Sequence, residues 1–108
     1  MLPGMSKSIN YLPMFWFGTV AIVLGIVYFA TLQTIPNGSS HYFMIDVGET
    51  QIVLNVWGTL HATGYPLYVI IGNVLTAILG ALGVDPIVAP ALVSMFWGYV
   101  TLAMLFAL

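Results

Sequence analysis

The chain contains no cysteine and no arginine, and only 4% of its 108 residues are charged. Without cysteine there is neither a disulfide framework nor a thiolate metal site. Lys7 is the single basic residue beside three acids. That leaves no cationic footprint for a nucleic-acid backbone and no polybasic segment for anionic lipid. Soluble domains carry roughly 25% charged residues, enough to coat a globule with solvated groups. This chain has too few, so a soluble protein is excluded. What is present is apolar: 61% hydrophobic residues and a mean hydropathy of +1.08. The length allows one small domain, and the composition predicts an all-α membrane protein.

A hydrocarbon core about 30 Å thick takes about 20 apolar residues in a helix. Tyr11 to Leu32 meets that length without a charge and opens on Tyr11, Phe15, Trp16 and Phe17, as an interfacial aromatic belt does. The run is too long for a signal-peptide core, so it predicts a first transmembrane helix behind a tail at 1–10. From Gln33 the turn formers Pro36, Asn37 and Gly38 start a polar loop that carries His41, Asp46 and Glu49. Between about 50 and 60, Gln51, Asn55 and Thr59 recur every fourth residue opposite an apolar face of Ile52, Val53, Val56, Trp57 and Leu60. That periodicity predicts a short helix lying in the interface, inside an external loop at 33–65.

Pro66 suits the first turn of a helix, where its missing N–H has no partner to lose. A second span is expected over 66–84. Asp85 and Pro86 then form a break that caps a third, over 87–108. That third span runs to Leu108 with no polar flank, as expected if the terminal carboxylate marks the interface or if the protein continues. The expected architecture is therefore three transmembrane helices with an interfacial helix between the first and second. Lys7 places the N-terminus in the cytoplasm and the 33–65 loop outside. Asp85 then faces in and the C-terminus faces out.

Helices in lipid associate where small residues let backbones approach. Gly72, Thr76 and Gly80 line one face of the second span, and Ala91, Ser94, Gly98 and Thr101 line one face of the third. Gly18, Ala21 and Gly25 do so in the first. These faces predict packing within the chain or onto transmembrane subunits outside it, with lipid elsewhere. Asn73, the most polar side chain in a span, is expected to hydrogen-bond to a neighbouring helix.

The acids and histidines gather in the outward region, with Asp46, Glu49, His41 and His61. Such groups bind a divalent cation, supply a general base, or merely solvate a loop, and spacing leaves the three open. No phosphate-cradling glycine loop, paired-histidine zinc helix or nucleophile elbow occurs. Haem or chlorin ligation by His41 or His61 is disfavoured, because neither sits inside a span.

Two motifs, Asp46-Val47-Gly48-Glu49 and His61-Ala62-Thr63-Gly64-Tyr65-Pro66-Leu67-Tyr68, resemble the N-terminal signature of a membrane family related to the protein O-mannosyltransferases, within the GT-C glycosyltransferase superfamily. The likeness covers residues 42 to 105. It implies that Asp46 is the catalytic base for an acceptor hydroxyl and Glu49 its partner or a metal ligand. It also implies that His61 and Tyr65 line the site of a polyprenyl-phosphate sugar. Ala62-Thr63 replaces the Pro-Pro common in that family, and three spans are far fewer than its usual ten or more. No arginine or outward lysine is present to hold a leaving phosphate. The expectation for this chain is accordingly a small non-catalytic membrane subunit that resembles the N-terminal module of such an enzyme. It would pack against a larger complex, for example an energy-converting or photosynthetic one. The alternative is the opening segment of a longer polyprenyl-phosphate-sugar-dependent glycosyltransferase.

Overall fold

A computed structural model describes residues 11–36 and 45–108, and these form helices without strands. Lys7 and His41 lie outside the described residues, and with them the orientation argument and any ligation by His41. The helices are α1 (Leu12–Ala30), α2 (Ile45–Val56), α3 (Pro66–Ala81) and α4 (Ala89–Ala107). α1 and α4, of 19 residues each, are long and apolar enough to cross a membrane. α3 is not: its 16 residues rise about 24 Å, short of a core about 30 Å thick. The expectation of three spans is thus corrected to two. Gly83, at φ 87°, takes the left-handed conformation that ends α3 before the expected 84. The Val84 N–H closes that turn on the Leu79 carbonyl at 3.0 Å.

α1 and α4 lie side by side in opposite directions. Phe17 meets Phe106 at 4.4 Å between ring centroids, and the Tyr99 hydroxyl donates to the Ala21 carbonyl at 2.9 Å. A Cβ on Gly25 would collide with that same hydroxyl, and one on Gly98 would touch the Tyr28 hydroxyl at 3.5 Å. Each helix thus offers a glycine to the other's tyrosine. Within α1, Thr19 and Thr31 donate their hydroxyls to carbonyls one turn back, Phe15 and Val27. This hides their polarity inside the helix itself.

α2 begins at Ile45 rather than near 50, so Asp46 and Glu49 stand on a helix and not in a loop. Its amphipathic pattern agrees with the expected one only in part. Ile52 is 64% exposed and Trp57 62%, while Leu54, outside the expected stripe, is 1% exposed. The physical reason is that α2 is gripped on its polar face. Gln51 Nε2 donates to the carbonyls of Ile35 and Ile87 at 3.1 and 3.2 Å. Asn55 Nδ2 donates to the Pro86 carbonyl at 2.8 Å. These bonds draw the segment after α1 and the turn before α4 onto one helix. The Asp85 turn, expected on the far side of the bilayer from the 33–65 loop, therefore meets α2. Asp85 does cap locally, its carboxylate accepting the Ile87 N–H at 2.7 Å, but α4 starts at Ala89 instead of 87.

The core is small and sits where α2, α3 and α4 converge, with Leu54, Val69, Ala89 and Val93 buried. Gly72 admits Leu54: a Cβ there would come within 2.8 Å of the leucine's Cδ2. Asn73, also 1% exposed, accepts the Trp57 N–H at 3.0 Å and donates to the Val69 carbonyl at 2.8 Å. It caps the end of α2 from within α3, the inter-helix bond expected of it. Trp57, at φ 56°, is left-handed, and the Gly58 N–H closes on the Val53 carbonyl at 3.2 Å. The Val53 carbonyl, an orphan acceptor at the end of α2, is thus closed by the Gly58 N–H, while Asn73 takes the Trp57 N–H.

Candidate functional site

Asp46 and Glu49 are three residues apart on α2, so their side chains are neighbours on one helical face. The segment 58–65 folds back over that face. Glu49 receives it with both oxygens: Oε1 accepts the His61 backbone N–H at 2.8 Å, and Oε2 lies 2.6 Å from His61 Nδ1. The left-handed Gly64 and Tyr65, at φ 79° and 42°, reverse the chain into α3. Pro66 takes the first helical position as expected. Tyr65 presents its ring edge-on to His61 at 6.4 Å.

This geometry sets the charges. Hydrogen bonding to His61 holds Glu49 below the ordinary carboxylate value. The bond from Glu49, then the charges of Glu49 and Asp46, raise His61 above the ordinary imidazole value. Asp46, by contrast, takes no side-chain hydrogen bond from the described residues. It stands in the first turn of α2, where the helix dipole favours a negative charge. One ligand atom each from Asp46, Glu49 and His61 falls within 4.8 Å of the others, a set of oxygen and imidazole donors with the chemistry of a divalent-cation site. Both Glu49 oxygens already serve His61, so metal binding there would cost the loop its tether.

Beside Asp46 opens a cleft of about 440 Å³, walled by the end of α1, one face of α2, Tyr68 of α3 and the start of α4. Tyr68 and Ser94 share a hydrogen bond at 3.2 Å across it. Asp46, Glu49, His61 and Tyr65 are thus brought together, and Ser94 joins the same region as a cleft wall instead of a packing surface alone. Gly72 and Thr76 are buried on the face of α3 that meets its neighbours. Gly80 has open space around its α-carbon, as has Gly18, so neither packs within the chain. Sequence reasoning missed Tyr28, Tyr68 and Gln51 as parts of the site. Tyr68 lay inside a motif already singled out. Gln51 had been placed only on the polar face of the expected interfacial helix, and nothing in the spacing around Tyr28 distinguishes it.

No family model, curated protein or solved structure matches this chain.

Proposed function

We propose that the chain is the acidic module of a membrane-embedded glycosyl-transfer site of the GT-C type, acting together with transmembrane helices that it does not itself supply. The observation that carries this is the union of two motifs twelve residues apart: Glu49 of the first binds His61 of the second, and Asp46 and Tyr68 line one cleft. Asp46 is the base. Its carboxylate, without a side-chain partner among the described residues, takes the proton from an acceptor hydroxyl, the acceptor oxygen bonds to the anomeric carbon, and the sugar's bond to the polyprenyl phosphate breaks. Glu49 is a positioning residue that holds the folded-back segment, and with it His61, beside Asp46.

On this reading α1 and α4 are the two spans, and the start of α1 and the end of α4 share one side of the bilayer. Under the positive-inside rule, Lys7 makes that side cytoplasmic. α2 and α3 then gather at the outer surface, where a lipid-linked sugar is presented. The departing phosphate needs cationic hydrogen-bond donors, and the described residues include no lysine or arginine. Helices outside the described residues must bring them. The open faces at Gly18 and Gly80 are suited to such helices.

The same lack of cations favours a second reading, a non-catalytic membrane subunit that keeps the layout without the reaction. Native membranes holding the chain and its partners separate the two. On the first reading, Asp46→Asn lowers sugar transfer from a polyprenyl-phosphate donor by about 10²–10⁴-fold, as loss of a general base does, while co-purification is unchanged. Transfer that survives the substitution overturns it. Co-purification with membranes that show no transfer at all supports the subunit.

A further inference from the structure

We propose that the cleft lined by Tyr28, Gln33 and Asp46 binds the polyhydroxylated head of an uncharged lipid, and that this lipid is the acceptor in the transfer. The reading of Asp46 as the base is needed only to call the lipid an acceptor. Its binding follows from the lining of the cleft.

The cleft, of about 440 Å³, lies within the range of small-molecule sites, and its lining holds donors and acceptors together. The Tyr28 hydroxyl has no hydrogen-bond partner among the described residues. Gln33 Nε2 gives one proton to the Ile35 carbonyl at 2.9 Å and keeps the other. Thr31 and Thr50 give theirs to the Val27 and Asp46 carbonyls, each at 2.8 Å, so their oxygens are left to accept. The Asp46 carboxylate accepts as well. A hydroxyl answers both kinds of group, because it donates one proton and carries two lone pairs. An ammonium head would pair with Asp46 but offer no acceptor to Tyr28 and Gln33. A phosphate head would meet Asp46 with no lysine or arginine among the described residues. The phosphate of the sugar donor therefore belongs with the cations that helices outside those residues bring. His61 and Glu49 do not line the cleft, which leaves it to the acceptor.

The hydrocarbon chain has a place of its own. Met95 borders the cleft and also a second, apolar groove, together with Ile22, Gly25, Ile26, Phe29 and Ala30. That groove runs on α1 and α4, the two helices long enough to cross a membrane. A chain leaving the cleft past this flexible thioether enters an apolar surface directly, and a soluble sugar or a peptide hydroxyl would make no use of it.

The test is equilibrium dialysis of octyl glucoside, octanol, octylamine, octyl phosphate and free glucose against the whole chain in lipid nanodiscs, with empty discs as the reference. Octyl glucoside is expected to bind at least about tenfold more tightly than each of the others, the effect of one or two net hydrogen bonds. Tyr28→Phe combined with Gln33→Leu should remove most of its advantage over octanol. Equal binding of glucoside and octanol, tighter binding of amine or phosphate, glucose bound as tightly as its octyl derivative, or an advantage that survives the double substitution would each overturn the proposal. Sugar transfer is assayed separately, in native membranes with the partners present. Selective binding of the glucoside without any transfer keeps the lipid site and removes the reading of Asp46 as the base. Transfer onto a peptide hydroxyl without binding of the glucoside does the reverse.

Discussion

The α2–α3 corner and the α1–α4 pair use small residues in opposite ways. In the corner, Gly72 receives a whole leucine, and a buried asparagine joins the two helices by its amide. Along α1 and α4, glycines meet only the hydroxyl ends of Tyr28 and Tyr99, and α1 buries no residue at all. The corner is held as a soluble core is, by interdigitated apolar groups and satisfied polar ones. The pair is held by a seam, and the rest of α1 is left without a covering element among the described residues. A stripe of small residues thus marks where a backbone is approachable without saying what approaches it.

The largest expected effect breaks the corner. Leu54→Ala empties the site against Gly72 and should cost about 2–5 kcal/mol, as other buried leucines do. Thermal loss of helicity in micelles would register it, and an unchanged midpoint would show that the corner is not the stable part. Asn73→Leu comes next. It strands the part-buried Trp57 N–H, which costs up to about 1–3 kcal/mol, the upper end holding where water is fully excluded. Faster amide exchange at the end of α2, with α1 and α4 unaltered, is the signature to look for.

A smaller effect follows from the His61–Glu49 bond. His61 is raised from 6.5, so its contribution is complete below that value and is lost as pH climbs through the raised one. Glu49 is lowered from 4.5, so its contribution is complete above that value and is lost as pH falls through the lowered one. Segment 58–65 should therefore be best protected from exchange between pH 4.5 and 6.5 and loosen on both sides. Glu49→Gln should flatten that profile. The smallest effect sharpens the contrast from the other side: Gly80→Leu meets open space and should leave the chain's own unfolding within about 0.5 kcal/mol of wild type. If a helix from a partner uses that face, the substitution shows itself only as weaker co-purification.

Much of the helical layout was legible because bilayer thickness and helix rise convert composition directly into length. α1 and α4 appear within two residues of their expected bounds at each end. The errors are instructive about what pattern reading cannot weigh. α2 was set too late because Asp46, Gly48 and Glu49 read as loop residues, whereas a first-turn acid favours a helix start. The apolar stripe of α2 was assigned to the membrane interface, with Gln51 and Asn55 on the opposite, polar face. Gln51 and Asn55 instead find backbone carbonyls, and the protein turns Ile52 and Trp57 outward. The candidate acids and His61 were identifiable by residue type. Their division of labour was not, since it depends on the return path of segment 58–65.

Composition alone determined that this chain is helical and rich in membrane-length apolar segments, because so few charges cannot solvate a globule and only self-satisfied backbones tolerate apolar surroundings. Tertiary structure alone decided that α3 stops short, that the turn at Asp85 comes home to α2, and that Glu49 rather than Asp46 is tied to His61. Those facts arise from side-chain amides and carboxylates reaching residues 12 to 36 positions away, and no local periodicity encodes such distances.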